Sequence, residues 1–234
     1  MKGIALCLGL GLVFWVISFA GNTAPRSPFW LSELVLYAGM IGGLLALRRH
    51  DYRLVLRLRP ALACYIALVW LFGMAYETSL TVDGTGIGGV HPDTFASFVL
   101  ATGDYLMLAV LCAALIHTLR LDFRQVFFLA AGISLSEGLV FTGVLTAVLA
   151  SPMAYTAPLF VAYYALAYAS FIALPLLVIL PASLWRPKIG RPVSLMMIVL
   201  IGFALAFGVR IVWGLFYAPL ATKLFDLPPN LSSL

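Results

Sequence analysis

The stretch Ala131-Gly-Ile-Ser-Leu-Ser-Glu-Gly-Leu-Val-Phe-Thr-Gly143 places one carboxylate, Glu137, in the middle of an apolar segment long enough to cross a bilayer. A charge at the centre of a membrane helix costs roughly 3 kcal/mol on insertion scales, so it normally faces other protein groups or water. Three further charges, Glu77, Asp104 and Arg210, lie at comparable depth in other apolar segments. The pattern predicts a multi-pass membrane protein with a buried polar site.

The composition argues against a soluble globular protein. Hydrophobic residues make up 63% of the 234 residues and charged residues only 10%, whereas soluble domains are near half apolar and a quarter charged. A spanning helix needs about 20 apolar residues, which leaves room for about seven spans and no separate soluble domain. The long, continuous apolar runs favour helices over a barrel of short alternating strands. We therefore expect an all-α polytopic bundle that forms a single integral membrane domain over residues 1–234.

Seven apolar segments, separated by polar or proline-containing stretches, define the predicted spans. They cover about residues 4–20, 31–47, 61–78, 95–119, 125–150, 157–184 and 193–220. Pro175 and Pro181 predict bends in the sixth segment, because a proline inside a helix removes a backbone hydrogen bond. The first segment also fits a cleaved signal peptide, since a basic start and a short apolar run precede Gly21. We expect it to be retained as a helix.

Basic residues predict the orientation of the chain in the membrane. Cytoplasmic loops carry an excess of Lys and Arg. Of the 14 such residues, Arg210 lies within a span, eleven fall on one side of the predicted topology, and only Arg26 and Lys223 fall on the other. We therefore expect a cytoplasmic amino terminus, an external carboxyl terminus and a place in the inner or plasma membrane. The net charge of +5 follows from this bias and indicates no nucleic-acid partner.

The buried charges form the candidate binding site. Arg210 needs a partner, because a guanidinium in hydrocarbon cannot become neutral by losing its proton. Asp104 and Glu137 are the candidate partners, and if one of them pairs with Arg210, the other could stay protonated, since burial disfavours an ionised carboxyl group. This arrangement suits proton transfer or cation coupling. The other residues that we expect to bind a substrate or ion there are Glu77, Ser134, Tyr105, Tyr164 and Tyr168.

The long connection between the third and fourth segments is a second candidate site. Glu77, Asp83, His91 and Asp93 could converge on a cation, since carboxylates and imidazole suit hard and borderline metals. Their spacing matches no compact metal motif, so His91, Asp93 and Asp83 are weak candidates. The sequence predicts neither a metal site nor an identifiable cofactor.

Three functions are compatible with this pattern. The first is a transporter or channel for an ion or small solute, centred on Glu137, Asp104 and Arg210 and favoured by prolines and glycines that interrupt the last three segments. The second is an intramembrane enzyme acting on a lipid or isoprenoid, with Glu77 among its acid and base groups. The third is an accessory subunit in which the charges pair structurally. The expected partners are the lipid bilayer and a small solute, ion or lipid ligand, with a homo-oligomer or a larger membrane complex left open.

Overall fold

The chain folds into a bundle of helices. The computed structural model describes residues 2–21, 30–46, 58–83, 93–179 and 194–227, and every regular element in these ranges is helical. The helices are α1 (Lys2–Gly21), α2 (Trp30–Ala46), α3 (Leu58–Asp83), α4 (Thr94–Leu119), α5 (Phe123–Ser136), α6 (Val144–Leu149), α7 (Ala157–Ile172), α8 (Leu174–Ile179), α9 (Leu195–Val212) and α10 (Ala218–Phe225). Two π-helical segments, Glu137–Phe141 and Trp213–Tyr217, follow α5 and α9, and a 3₁₀ turn at Ala154–Thr156 precedes α7.

Most of these helices are suited to a membrane. Six stretches of the described chain are long and apolar enough to cross one: Gly3–Gly21, Pro60–Ser79, Thr94–Leu119, Phe123–Phe141, Ala154–Ile172 and Leu195–Phe225. The apolar helix Trp30–Leu45 is shorter. This stretch belongs to α2, which has 17 residues and is about 25 Å long. The hydrocarbon core of a bilayer is about 30 Å thick, so α2 is slightly too short to cross it without adjustment. The predicted helical membrane bundle is confirmed, while seven spans and the orientation stay predictions.

Two of the predicted spans are interrupted. The fifth segment, predicted as one span over residues 125–150 with glycines that interrupt it, becomes π-helical at Glu137 and breaks at Gly143, whose φ of +66° is a conformation that favours glycine. The sixth breaks between α7 and α8, because Pro175 has no N–H to donate to the carbonyl oxygen of Phe171. The second predicted bend, at Pro181, lies outside the described residues.

Contacts between the helices give their relative directions. In an antiparallel pair, later residues of one helix meet earlier residues of the other. This order is seen in Trp15–Tyr37 and Phe19–Trp30 (α1 and α2), Gly11–Ala162 and Phe14–Phe160 (α1 and α7), Tyr65–Ile172 and Tyr76–Tyr163 (α3 and α7), Gly73–Tyr105 and Glu77–Ser97 (α3 and α4), and Arg210–Asp104 and Tyr217–Val99 (α9 with its π segment, and α4).

Helices α5 and α9, in contrast, run in the same direction. They cross at Gly132 and Gly202, where a Cβ on either glycine would overlap a backbone carbonyl oxygen of the other helix. Small residues of this kind let two membrane helices approach closely. Later in both helices, Glu137 meets Arg210. Together with the antiparallel pairs, this makes α1, α3, α5 and α9 parallel to one another and opposite to α2, α4 and α7.

Candidate functional site

Arg210, Asp104 and Glu137 form a charged triad where α4, α5 and α9 meet. Nη1 of Arg210 lies 3.4 Å from Oδ2 of Asp104, and Nη2 donates a hydrogen bond to Oε1 of Glu137 over 3.0 Å. Hydrogen bonds between ionised groups are shorter and stronger than those between neutral groups. Arg210 thus pairs with both acids that the sequence analysis proposed as alternatives. With all three groups ionised, the triad carries a formal charge of −1.

Aromatic rings lie against the guanidinium. Cζ of Arg210 is 5.6 Å from the ring centroid of Phe141 and 5.7 Å from that of Trp213, both within cation–π range. Tyr168 lies within electrostatic range of all three charged groups. The side chain of Arg210 nevertheless remains 22% exposed, and those of Asp104 and Glu137 12% and 15%. The rings therefore cover part of the triad, but its side chains are not completely buried.

Both helices that supply Arg210 and Glu137 lose regular α-helical geometry beside the triad. One π-helical segment begins at Glu137, and the other begins at Trp213, three residues after Arg210. Turns of this kind are rare and are found frequently at functional sites. The carbonyl oxygen of Glu137 accepts hydrogen bonds from the backbone N–H and the hydroxyl of Thr142, at 2.9 and 3.0 Å. Local hydrogen bonds therefore compensate for the altered backbone.

The second π-helical segment is attached to α4. Nε1 of Trp213 donates to the carbonyl oxygen of Leu100 over 2.9 Å, and the hydroxyl of Tyr217 donates to that of Val99 over 2.8 Å. The Tyr217 ring packs directly on Gly103, where a Cβ would overlap it. These contacts hold the two helices at the separation that the triad requires.

Two buried polar groups beside the triad have no hydrogen-bond partner within the described residues. They are Oδ1 of Asp104 and the hydroxyl of Tyr164. The hydroxyl of Tyr164 lies near that of Thr142 but is not aligned for a hydrogen bond with it. The Tyr164 ring lies beside the π-helical segment that begins at Glu137, since a Cβ on Gly138 would be 3.4 Å from Cε2 of the ring. A buried polar group without a partner costs about 1–3 kcal/mol, so both are positions at which a ligand could gain a hydrogen bond.

Glu77 belongs to a second polar group, between α3 and α4. Its Oε1 accepts a hydrogen bond from the Ser97 hydroxyl at 2.9 Å and lies 3.5 Å from that of Thr81. Its Oε2 lies 3.5 Å from the hydroxyl of Tyr105. Tyr105 directly follows Asp104 in the chain. The structure therefore brings two predicted site residues, Glu77 and Tyr105, together in a group that adjoins the triad.

Ser134, which was predicted to bind a substrate or ion, uses its hydroxyl within its own helix. Its buried hydroxyl donates to the carbonyl oxygen of Ala131, within the same helix, over 2.7 Å. A serine in a helix commonly makes this bond to the preceding turn. The hydroxyl is therefore directed along α5 rather than toward the carboxylate.

The loop residues that were considered for a metal are only partly described. Asp93 caps α4, with its Oδ1 accepting the N–H of Ala96 at 2.8 Å. His91 and the side chain of Asp83 lie outside the described residues. Within the described ranges, no three His, Cys, Asp or Glu side chains come together as a metal site.

The structure also contains a buried carboxylate that the sequence analysis missed. Glu33 is 2% exposed and accepts hydrogen bonds from the indole N–H of Trp15 and, at 2.8 Å, from the Ser79 hydroxyl. Glu33 lies in the first turn of α2, where an acidic residue is ordinarily explained by the helix dipole. Its burial depends on α1 and α3, which the sequence of α2 does not reveal. Three tyrosines lie within electrostatic range of it: Tyr37, Tyr76 and Tyr163.

The triad combines a permanent positive charge with two carboxylates and nearby hydroxyl groups inside an apolar bundle. Carboxylates can take up protons, whereas the guanidinium keeps its charge. Such a set of groups can exchange a proton or hold a charged solute. No protein-family model, curated protein or solved structure matches the chain.

Proposed function

We propose that the chain is a membrane transporter for an ion or small solute, coupled to protonation of Asp104 or Glu137. The observation that carries this proposal is the guanidinium of Arg210 between two carboxylates, a set whose formal charge is −1 when all three groups are ionised. A net charge is unfavourable inside an apolar bundle, and arginine cannot lose its proton. The triad is neutral when it gains either one proton or one monovalent cation. Exchange between these two states would couple proton movement to solute movement.

The irregular helices support this proposal. A coupled transporter needs two conformations that its ligands favour differently. The π-helical segments at Glu137 and Trp213 and the break at Gly143 are places where α5 and α9 can bend close to the triad. A change in the charge of the triad could therefore bend α5 and α9 at the nearby positions where their backbone is irregular.

We further propose that the chain forms one integral membrane domain with seven spans. The alternating directions of the helices support an odd number of crossings, with α2 as the shortest. The bias of Lys and Arg supports a cytoplasmic amino terminus and an external carboxyl terminus. Reporter fusions in the 47–57 and 84–92 connections test this topology. We expect fluorescence of a cytoplasmic reporter at the first position and activity of an export-dependent phosphatase at the second.

Infrared difference spectroscopy of the purified protein in lipid tests the proton coupling directly. We expect a pH-dependent carboxyl C=O band that Asp104→Asn or Glu137→Gln removes or shifts. Glu33→Gln is the matched control, because it replaces a buried acid outside the triad and should leave this band intact. If both triad variants keep the band of the parent, the triad exchanges no protons and the proposal is wrong.

Flux measurements in proteoliposomes test the transport itself. The panel contains amine salts, amino acids, sugars and inorganic salts, each applied with and without a proton gradient. We expect at least one class to give a flux that depends on the gradient and is lost in Glu137→Gln. A parent protein that moves none of these classes would contradict the proposal.

A further inference from the structure

We infer that the transported solute is an organic cation with N–H donors, of the guanidinium or ammonium type, which exchanges against a proton at Asp104. This inference rests on the proposed function and names its substrate class. It follows from the charge of the triad, from a free hydrogen-bond acceptor and from the aromatic rings around it.

Charge balance requires that the triad holds either a proton or the cation, but not both. In one state the Asp104 carboxyl group holds a proton, and the triad is neutral. In the other, the proton has left for water, and the carboxylate holds the monovalent cation, which again gives a neutral triad. Each cycle therefore exchanges one proton for one cation, with no net change in the charge of the buried site.

The geometry provides an acceptor for this cation. Oδ2 of Asp104 faces Arg210 at 3.4 Å, whereas Oδ1 is buried and has no hydrogen-bond partner within the described residues. The Tyr164 hydroxyl, also buried and without a partner there, offers a second acceptor on the α7 side of the triad. We expect a solute with several N–H groups to donate to both, which a proton alone cannot do.

The surroundings favour an organic cation over a metal ion or an anion. Calcium takes six to eight oxygen ligands and magnesium takes six in near-ideal octahedral geometry, and no cluster of three metal-binding side chains occurs in the described ranges. The rings of Phe141 and Trp213 already lie against the guanidinium of Arg210, and such rings attract weakly hydrated cations. An anion would meet a site whose formal charge is already negative.

Methylguanidinium is the probe, because it stays charged throughout the accessible pH range and resembles the end of an arginine side chain. Its controls are methylurea, a neutral molecule of nearly the same shape, and sodium chloride at equal ionic strength. In the parent protein, millimolar methylguanidinium should raise the unfolding temperature above both controls, since a ligand that binds only the folded state stabilises it. The increase should shrink as the pH falls, because protons compete for the same carboxylate.

Variants assign this effect to the triad. Asp104→Asn should abolish the stabilisation, whereas Glu33→Gln should keep it. Tyr164→Phe retains all charges of the triad and is the second test of binding, which can be used if Asp104→Asn does not fold. It should weaken binding of methylguanidinium about fivefold to tenfold, as expected for the loss of one hydrogen bond. Equal stabilisation of the parent, Asp104→Asn and Tyr164→Phe would place the cation elsewhere and overturn the inference.

Exchange is then measured with a pH-sensitive dye inside proteoliposomes. External methylguanidinium should make the interior more alkaline, because each cation that enters drives one proton out. Methylurea and sodium chloride should not do so. If the infrared band titrates but methylguanidinium neither stabilises nor exchanges, the inference is wrong and the proposed function stands. If the triad variants do not alter that band, the proposed function itself is wrong.

Discussion

Two regions of this bundle bury carboxylates by different means. Glu33 accepts hydrogen bonds from neutral donors, Trp15 and Ser79, on the regular helices α1 and α3. Asp104 and Glu137 instead share the guanidinium of Arg210 beside two π-helical segments. Directional hydrogen bonds on regular helices fix one carboxylate in place. The other two share one cation, and the proposed proton exchange depends on this shared charge.

The largest effect is expected for Arg210→Met, which tests the charged region. The substitution leaves two carboxylates without their shared cation, and removing one partner of a buried ion pair typically costs about 3–5 kcal/mol. We expect the free energy of unfolding in detergent to fall by this order. The deficit should shrink as the pH falls, because the folded variant favours protonated carboxyl groups and so binds more protons than the unfolded chain.

Adding Asp104→Asn and Glu137→Gln to Arg210→Met provides the control. The triple variant has neither the cation nor the two carboxylates, so much of the lost stability should return. It should also lose the pH dependence of the single variant. A triple variant that is as unstable as Arg210→Met would show that packing, rather than charge, holds this region together.

The second effect is expected for Ser79→Ala, which tests the Glu33 region. It removes a buried hydroxyl that donates to Oε1 of Glu33 over 2.8 Å, and a hydrogen bond to a charged group contributes about 2 kcal/mol. Thermal unfolding should show this loss, while the infrared band of the triad should be unchanged. Thr118→Val, at an exposed hydroxyl bonded within its own helix, is the control and should cost no more than about 0.5 kcal/mol. A change in the triad band would show that the two regions are coupled.

A smaller effect is expected for Thr142→Val, which tests the irregular backbone. The valine keeps the shape of the side chain but removes the hydroxyl that donates to the Glu137 carbonyl oxygen over 3.0 Å. We expect a loss of about 1 kcal/mol in the free energy of unfolding. Hydrogen exchange should increase in residues 137–143 and stay unchanged in α2. Uniform exchange across both regions would contradict the distinction between them.

The smallest effect on stability is expected for Tyr164→Phe. It removes a buried hydroxyl that has no hydrogen-bond partner among the described residues, so the variant should equal the parent or gain up to about 1 kcal/mol. Thermal unfolding without added solute measures this. A loss of 2 kcal/mol or more would show that the hydroxyl has a structural partner and is not available to a ligand.

The helical membrane bundle could be predicted from the sequence because long apolar runs, and connections rich in Lys and Arg, can be recognised in single segments of the chain. The position of the interruption, at Gly143, was not predicted, because the sequence does not show which of the glycines in the fifth segment breaks the helix. The π-helical segments were also missed, because a change from i→i+4 to i→i+5 hydrogen bonds leaves no clear pattern in residue type.

For the site, the sequence could predict only the charged residues, because burying a charge in the membrane is costly. That cost singled out Arg210, Asp104 and Glu137 before their contacts were known. It could not show that the hydroxyl of Ser134 bonds to its own helix. Glu33 was missed because its burial comes from two other helices. Such convergence is a property of the packing and not of any one segment.

The glycine contact between α5 and α9 has a mechanical consequence. No side chains separate the two backbones at Gly132 and Gly202, so a tilt of α9 about this crossing would move its later residues relative to α5. Arg210 lies eight residues beyond Gly202, or about 12 Å along the helix axis. A tilt of about 10° at the crossing would displace the guanidinium by roughly 2 Å at that lever length. A displacement of this size in the direction away from Glu137 would lengthen the 3.0 Å contact between Arg210 and Glu137 beyond hydrogen-bond distance.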